Sequence, residues 1–307
     1  MTAAAGWRPE REVEIIAGTA TGGGLDRTAR AFIAALEAEH LLDVPMRLVN
    51  MPGDGGRKPW PHLDTRAGDP HVLSISSPNL TTDRLTGLTA FDHDDYTPLA
   101  ILCNEYIAFA ARTDSPLKNG ADLLQALRVN AQRLRIALST SLGNPNHIAL
   151  AQVAQHAGAD ARGLTIRVFD SALDAVADVV AGHADIAVVT AASPLKEMAA
   201  GNVCVLAVSA PARLAGPYAG VATWEEQDVP CVTGAWRGLS GPRGLTPDQV
   251  AFWNRVGAWA TASAAWRAAL ATHCWAPFYL DGAALAEYLG EERTAMQDTL
   301  GALGLLG

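Results

Sequence analysis

Apolar positions follow two rhythms along this chain. Residues 12–18 (EVEIIAG) form a short continuous apolar run, the mark of a buried strand, whereas residues 27–40 (RTARAFIAALEAEH) repeat apolar side chains at helical spacing. Residues 44–50 (VPMRLVN) and 71–77 (HVLSISS) read as second and third strands, each closed by a turn rich in Gly or Pro. This order predicts a mostly parallel sheet with helices on its faces, and such sheets take ligands at the carboxyl ends of their strands. Residues 97–112 (TPLAILCNEYIAFAAR) are one long extended run, long enough to leave one sheet and enter another. A second series follows: helix 120–130, strand 134–140, helix 147–158, strand 164–170, helix 172–182, strand 184–190, helix 194–201 and strand 203–209. Beyond Pro211 the pattern is loop-like as far as Trp236, and two helical stretches, 246–263 and 282–303, close the chain. Thr246 is the expected cap of the first, with Pro247 at its first helical position. Two α/β series in tandem predict two lobes with a cleft between them, a favoured place for a small-molecule site.

Composition narrows the function classes. Of 307 residues 49% are hydrophobic and 18% charged, so the chain can bury real cores. The formal net charge of -9 and the lack of any Lys/Arg-rich run argue against nucleic acid as a partner, though a locally positive site remains compatible with an acidic protein. The longest apolar runs are strand-sized and give no transmembrane candidate. The opening residues do not read as a secretory leader, which fits either a cytoplasmic protein or one whose leader has been removed. Cys103, Cys204, Cys231 and Cys274 have no C-x-x-C spacing; Cys204 reads as a buried core thiol, and the pairing of the four stays open. No metal-ligand spacing, G-x-S-x-G or H-E-x-x-H motif is present, so neither metal, cofactor nor catalytic residue is expected.

The candidate chemistry lies at strand ends. Residues 18–26 (GTATGGGLD) follow the first strand and open the first helix, where exposed amides favour an anion; a plain tight turn fits the same residues. The glycine spacing does not match a dinucleotide fingerprint, and Asn50 rather than an acid ends the second strand. Asp26 falls in the first helical turn, where a helix-dipole role is expected. Residues 50–60 (NMPGDGGRKPW) make a second Gly-rich loop in which Arg57 and Lys58 either add positive charge or stand in solvent. Residues 139–147 (STSLGNPNH), rich in hydroxyls, lead into a helix capped by Asn146 or a neighbour, and His147 reads as a structural residue. Residues 169–174 (FDSALD) and 189–193 (VTAAS) are the corresponding later strand ends. The run from Asp92 to Asp95 reads as a polar loop.

With these landmarks in order, the chain resembles the substrate-binding proteins of tripartite tricarboxylate transporters, the TctC or Bug family of extracytoplasmic solute receptors. The matching segments are GGGLDRTAR at 22–30, VNMPGDGG at 49–56, the crossover and following helix at 97–127, NPNHIALAQVAQHAG at 144–158 and AVADVVAGHADIAVV at 175–189. VLAVSAPARLAG at 205–216, GVATWEEQDVP at 220–230, AWRGLSGPRGLTP at 235–247 and LGEERTAMQDTLGALGLL at 289–306 complete the set. The resemblance implies an α/β fold of the periplasmic-binding-protein type II class, two lobes joined by crossing strands. The first lobe would hold residues 1–103 and 222–307, the second residues 104–221. It implies capture of a di- or tricarboxylate, amino acid or aromatic acid by lobe closure. Delivery to a membrane permease or sensor, an extracytoplasmic location and a monomeric state come with it. The alternative is an intracellular regulator or enzyme that reuses the fold. Carried over by position, ligand-binding candidates in the first lobe are Thr19, Ala20, Gly22, Gly23, Gly24, Ser76, Ser77 and Pro78. Those in the second are Ser139, Ser141, Asn144, His147, Ser171, Ala172 and Asp174, with Thr190 and Trp236 toward the hinge. Three departures stand out: TAT at 19–21 where proline is common, STSLGNPNH where glycines are common, and DSALD where glycines usually precede the helix. The last puts Asp170 or Asp174 near the expected ligand and points to a smaller, less charged or partly cationic ligand than a tricarboxylate.

Overall fold

The computed structural model describes residues 6–307; the first five, included in the expected first lobe, lie outside it. Eleven strands form two sheets, numbered here in chain order. Strands β1 (Val13–Ala17), β2 (Met46–Asn50), β3 (Val72–Ser76) and β4 (Thr97–Asn104) belong to the first sheet. Strands β5 (Ile107–Arg112), β6 (Arg135–Ser139), β7 (Thr165–Phe169), β8 (Ile186–Thr190) and β9 (Val203–Val208) make up the second. Strands β10 (Arg237–Gly241) and β11 (Ala276–Asp281) return to the first. The orders are β11-β4-β10-β3-β1-β2 and β7-β6-β8-β5-β9. The extended run at 97–112 does leave one sheet for the other, breaking at Glu105 and Tyr106. The return crossing runs from β9 to β10.

The first sheet is more mixed than its sequence pattern predicts. Strands β1, β2 and β3 are parallel, but β10 inserts antiparallel between β3 and β4, and β11 runs antiparallel along β4. Two glycines in five residues (RGLSG) give β10 weak strand propensity, and its burial decides the matter. Gly238 has no room for a side chain: a Cβ there would stand 2.7 Å from the Ala100 carbonyl oxygen.

Helices α1 (Gly24–Ala38), α2 (Pro59–Asp64) and α3 (Asn79–Leu85) follow the first three strands. Helices α4 (Gly120–Asn130), α5 (Pro145–His156), α6 (Ala172–Val180) and α7 (Leu195–Ala199) dress the second sheet. The tail holds three helices, not two: α8 (Pro247–Ala262), α9 (Ala264–His273) and α10 (Gly282–Leu303). Ser263 ends α8 and caps α9, its hydroxyl accepting from the Trp266 amide at 3.0 Å. Thr246 caps α8 in a reciprocal box with Gln249, and Pro247 opens it. Helices α2 and α3, of six and seven residues, are short helices of about two turns lost in the loops that the sequence pattern shows there. No helix among the described residues is long and apolar enough to cross a membrane.

Each sheet has its own core. Phe32, Leu73, Leu239 and Trp253 fill the first; Phe109, Leu150, Ile186 and Trp224 fill the second. Val229, Cys231 and Ala235 from the return crossing pack into the second core, as does Leu303 from the end of α10. The C-terminal helix therefore runs from a separate cluster, where Leu285 packs with Ile101 and Trp236, to the second core. All four cysteines are free thiols; Cys204, expected in the core, is only partly buried.

Candidate functional site

A cleft opens between the two sheets, at the carboxyl ends of their parallel strands. Its first-lobe wall begins with the turn after β1. Gly22 adopts a positive φ of 83°, and the Gly23 amide donates to the Ala20 carbonyl at 3.0 Å. Asp26, which we expected to serve the helix dipole, is buried and clamps this turn. It accepts from the Gly22 amide at 2.8 Å and from Asn50 Nδ2 at 2.9 Å, and it pairs with Arg30. Burial alone would raise the Asp26 carboxyl, yet these hydrogen bonds hold it below the usual carboxylate range. The second Gly-rich loop touches the first: a Cβ on Gly18 would lie 2.6 Å from the Gly56 carbonyl oxygen. The two loops thus form one wall.

The second-lobe wall is set by the end of β6. Thr140 has a φ of 71°, a rare conformation for a β-branched residue. Hydrogen bonds hold it there, from its own amide to the Phe169 carbonyl and from Asn144 Nδ2 to its Oγ1 at 2.8 Å. Asn144 caps α5, accepting from the His147 amide at 3.1 Å. Asn146 instead donates to Ser139 Oγ at 3.0 Å. The lobes also meet directly. Asn79 Nδ2 donates to Thr140 Oγ1 at 3.0 Å, and Ser141 Oγ donates to Asp83 Oδ1 at 2.8 Å.

The expected site residues divide into two groups. Thr19, Gly23, Gly24, Ser77, Ser139, Ser171, Ala172 and Thr190 line the cleft. Ala20 and Gly22 belong to the first turn but are not among the lining residues, Ser76 is enclosed within β3, and Pro78 precedes α3. Ser141 faces Asp83, Asn144 caps α5, and His147 Nδ1 accepts from the Gly143 amide at 2.9 Å. Burial pushes the His147 ring down to about 4, so it is neutral and structural. Asp174 turns back onto its own cap, accepting from Ser171 Oγ at 2.7 Å, so Asp170 alone of the two aspartates lines the cleft. Trp236 points away from the cleft; its indole Nε1 donates to Glu292 at 2.8 Å.

The charged floor of the cleft has no counterpart in those expectations. Arg27 and Arg237 both line it. Arg237 Nη2 donates to Glu105 Oε2 at 2.8 Å, and Arg27 Nη2 lies 3.8 Å from Glu105 Oε1. Glu105 is fully buried at the first crossing and also accepts from the Ala192 amide of the second lobe at 3.1 Å. Burial would raise its carboxyl, but the two guanidiniums hold it below the usual range. Two cations against one carboxylate leave one positive charge on the floor. The buried Nε groups of both arginines have no hydrogen-bond partner among the described residues. Arg27 heads a segment read only for its helical spacing, and Arg237 sits in a strand that the pattern hides. The described residues contain no cluster of three His, Cys, Asp or Glu side chains able to hold a metal.

Two α/β lobes joined by two crossings, with a polar cleft between them, have the architecture of a two-lobe solute-binding receptor. Comparison with known proteins agrees. The family of tripartite tricarboxylate transporter receptors, TctC, matches residues 31–305, and the chain belongs to it. A TctC solute-binding protein from Polaromonas is 25% identical, with a TM-score of 0.68 over 96% of this chain and 99% of its own. MatC from Rhodopseudomonas palustris, solved with malate, is 23% identical with a TM-score of 0.80 over 95% of this chain and 100% of its own. An adipate-bound protein of the same organism is 20% identical with a TM-score of 0.84 over 96% and 98%. Among curated sequences, the UPF0065 protein of the tcbD–tcbE intergenic region of Pseudomonas sp. strain P51 is 26% identical over 203 residues, 66% of this chain. The matched region spans 59% of that relative's length.

Proposed function

We propose that this receptor captures a small carboxylate in the cleft, outside the cytoplasm, and presents it to a membrane transporter or sensor once the lobes have closed. The observation that carries this reading is the unbalanced floor, two buried guanidiniums facing one carboxylate. A ligand carboxylate supplies the missing charge and accepts from donors that otherwise go unused. The hydroxyls of Thr19, Ser77, Ser139 and Thr190 line the same space and complete its coordination. Closure brings the donors of both lobes to one ligand, and the closed form is the one a partner would recognise.

Calorimetric titration of the purified protein with a panel of carboxylates tests the reading. A binding acid should also raise the melting midpoint, by a stabilisation that grows with the logarithm of its concentration above its Kd. Arg237→Ala and Arg27→Ala should each weaken that acid by about tenfold to a hundredfold, the cost of one hydrogen bond to a charged group. Affinity unchanged in both variants would remove the arginines from the site.

Ser141 does not line the cleft, and its hydrogen bond to Asp83 joins the lobes. Ser141→Ala should therefore lower affinity by roughly threefold to tenfold, chiefly through the open–closed equilibrium. Small-angle scattering of the ligand-free variant should show a larger radius of gyration. An unchanged radius and affinity would mean that this contact does not hold the lobes together.

A further inference from the structure

The charges lining the cleft are unevenly placed, and this narrows the ligand beyond a small carboxylate. One positive charge is left over, at the floor, where Arg27 and Arg237 share Glu105. Arg57, in the second Gly-rich loop, is already taken: it pairs with Asp54 at 2.6 Å and lies 3.4 Å from Asp83. Asp83 lines the cleft but is matched by Arg57 and Ser141. Asp170 also lines the cleft, at the end of β7, exposed and with no ion pair among the described residues. The rest of the lining is uncharged: Leu25, Trp60, Leu80 and Leu173 stand beside neutral polar residues such as Asn79, Thr140 and Asn146. A first carboxylate thus has a cation waiting for it. A second one on the same ligand would leave water for neutral groups and the unpaired Asp170 carboxylate, with no further cation lining the cleft to meet it.

We infer that the cleft selects acids with one carboxylate on an uncharged body over their dicarboxylate counterparts, and that Asp170 is the specificity residue that repels a second carboxylate. The inference rests on the carboxylate reading above and sharpens it. It also runs against the malate and adipate held by the two structural neighbours, each a dicarboxylate on a similar fold. Repulsion at an exposed aspartate is screened, so its effect should be moderate and should shrink as salt rises.

Matched pairs that differ only in the second carboxylate provide the test: hexanoate against adipate, and benzoate against terephthalate, titrated calorimetrically at fixed ionic strength. The expected result is that at least one monocarboxylate binds and exceeds its partner by about tenfold or more. Asp170→Asn should then strengthen the dicarboxylate at least threefold more than the monocarboxylate, because it removes a charge and keeps the side chain's size. A dicarboxylate that ties or wins in the wild-type protein overturns the inference and leaves the carboxylate reading standing. A preference that Asp170→Asn does not move removes Asp170 from the explanation. If no acid of either kind binds or shifts the melting midpoint, the carboxylate reading itself falls, and the inference with it.

Discussion

Replacing Glu105 with alanine should cost about 3–5 kcal/mol of folding stability, the usual price of leaving a buried charge without its partner. The side chain is fully buried, and among the described residues it is the only carboxylate paired with Arg27 and Arg237, whose side chains are 14% and 8% exposed. Without it two guanidiniums face each other across the cleft floor, and the Ala192 amide loses its acceptor. The melting midpoint should fall by roughly 5–10 °C at this chain size. Added acetate should recover part of the loss, because an anion on the floor replaces the missing charge, and it should stabilise Glu105→Ala more than the wild type. A midpoint that stays within a degree of wild type would show that the arginines find solvent instead.

The second large effect concerns pH. Glu292 on α10 is held in a mostly apolar setting by the Trp236 indole at 2.8 Å and the Tyr288 hydroxyl at 3.1 Å. No cation among the described residues pairs with it; Arg293, its neighbour in the chain, turns to Asp92. Burial pushes its carboxyl from 4.5 up to about 7, against the pull of the two neutral donors. The folded protein therefore binds a proton that the unfolded chain has already released over this window. The stabilising contribution is fully present below pH 4.5 and is lost as pH rises through 7. Its size is about 3 kcal/mol at 1.36 kcal/mol per pH unit. Glu292→Gln keeps a carbonyl acceptor for both donors and cannot ionise. Denaturant unfolding between pH 5 and pH 8 should find the variant close to wild type at the acid end and more stable by up to about 3 kcal/mol at the alkaline end. A difference between the two proteins that stays flat with pH would mean that Glu292 does not titrate in this range.

Much of the architecture can be read from local pattern because its causes are local. Apolar runs of strand length and helical spacing place nine of the strands, and the long run at 97–112 marks the first crossing before any contact is known. Thr246 and Pro247 announce α8 through capping geometry that involves only neighbouring residues. The strand-end turns at 18–26 and 139–147 signal walls of a ligand site because small and hydroxyl residues free backbone donors wherever they fall. The resemblance carried by the ordered segments extends this to the family.

What stayed hidden depends on residues far apart in the chain. Strand β10 carries two glycines and holds its place through its neighbours β3 and β4 on either side, not through its own propensity. Glu105 and Arg237 are 132 positions apart, and the ion pair exists because two crossings of the chain pass side by side. In the sequence Glu105 looks like one polar residue interrupting an apolar run. Asn144 and Asn146 look equivalent as caps, and helix phase sends one to the helix end and the other to Ser139. Asp170 and Asp174 look equivalent as intruders, yet the cap at Ser171 takes Asp174 out of the cleft and leaves Asp170 in it. Backbone propensity and periodicity act over a few residues, so they set the elements. Charge pairing and side-chain direction act through space, so the character of the ligand site appears once the chain has folded.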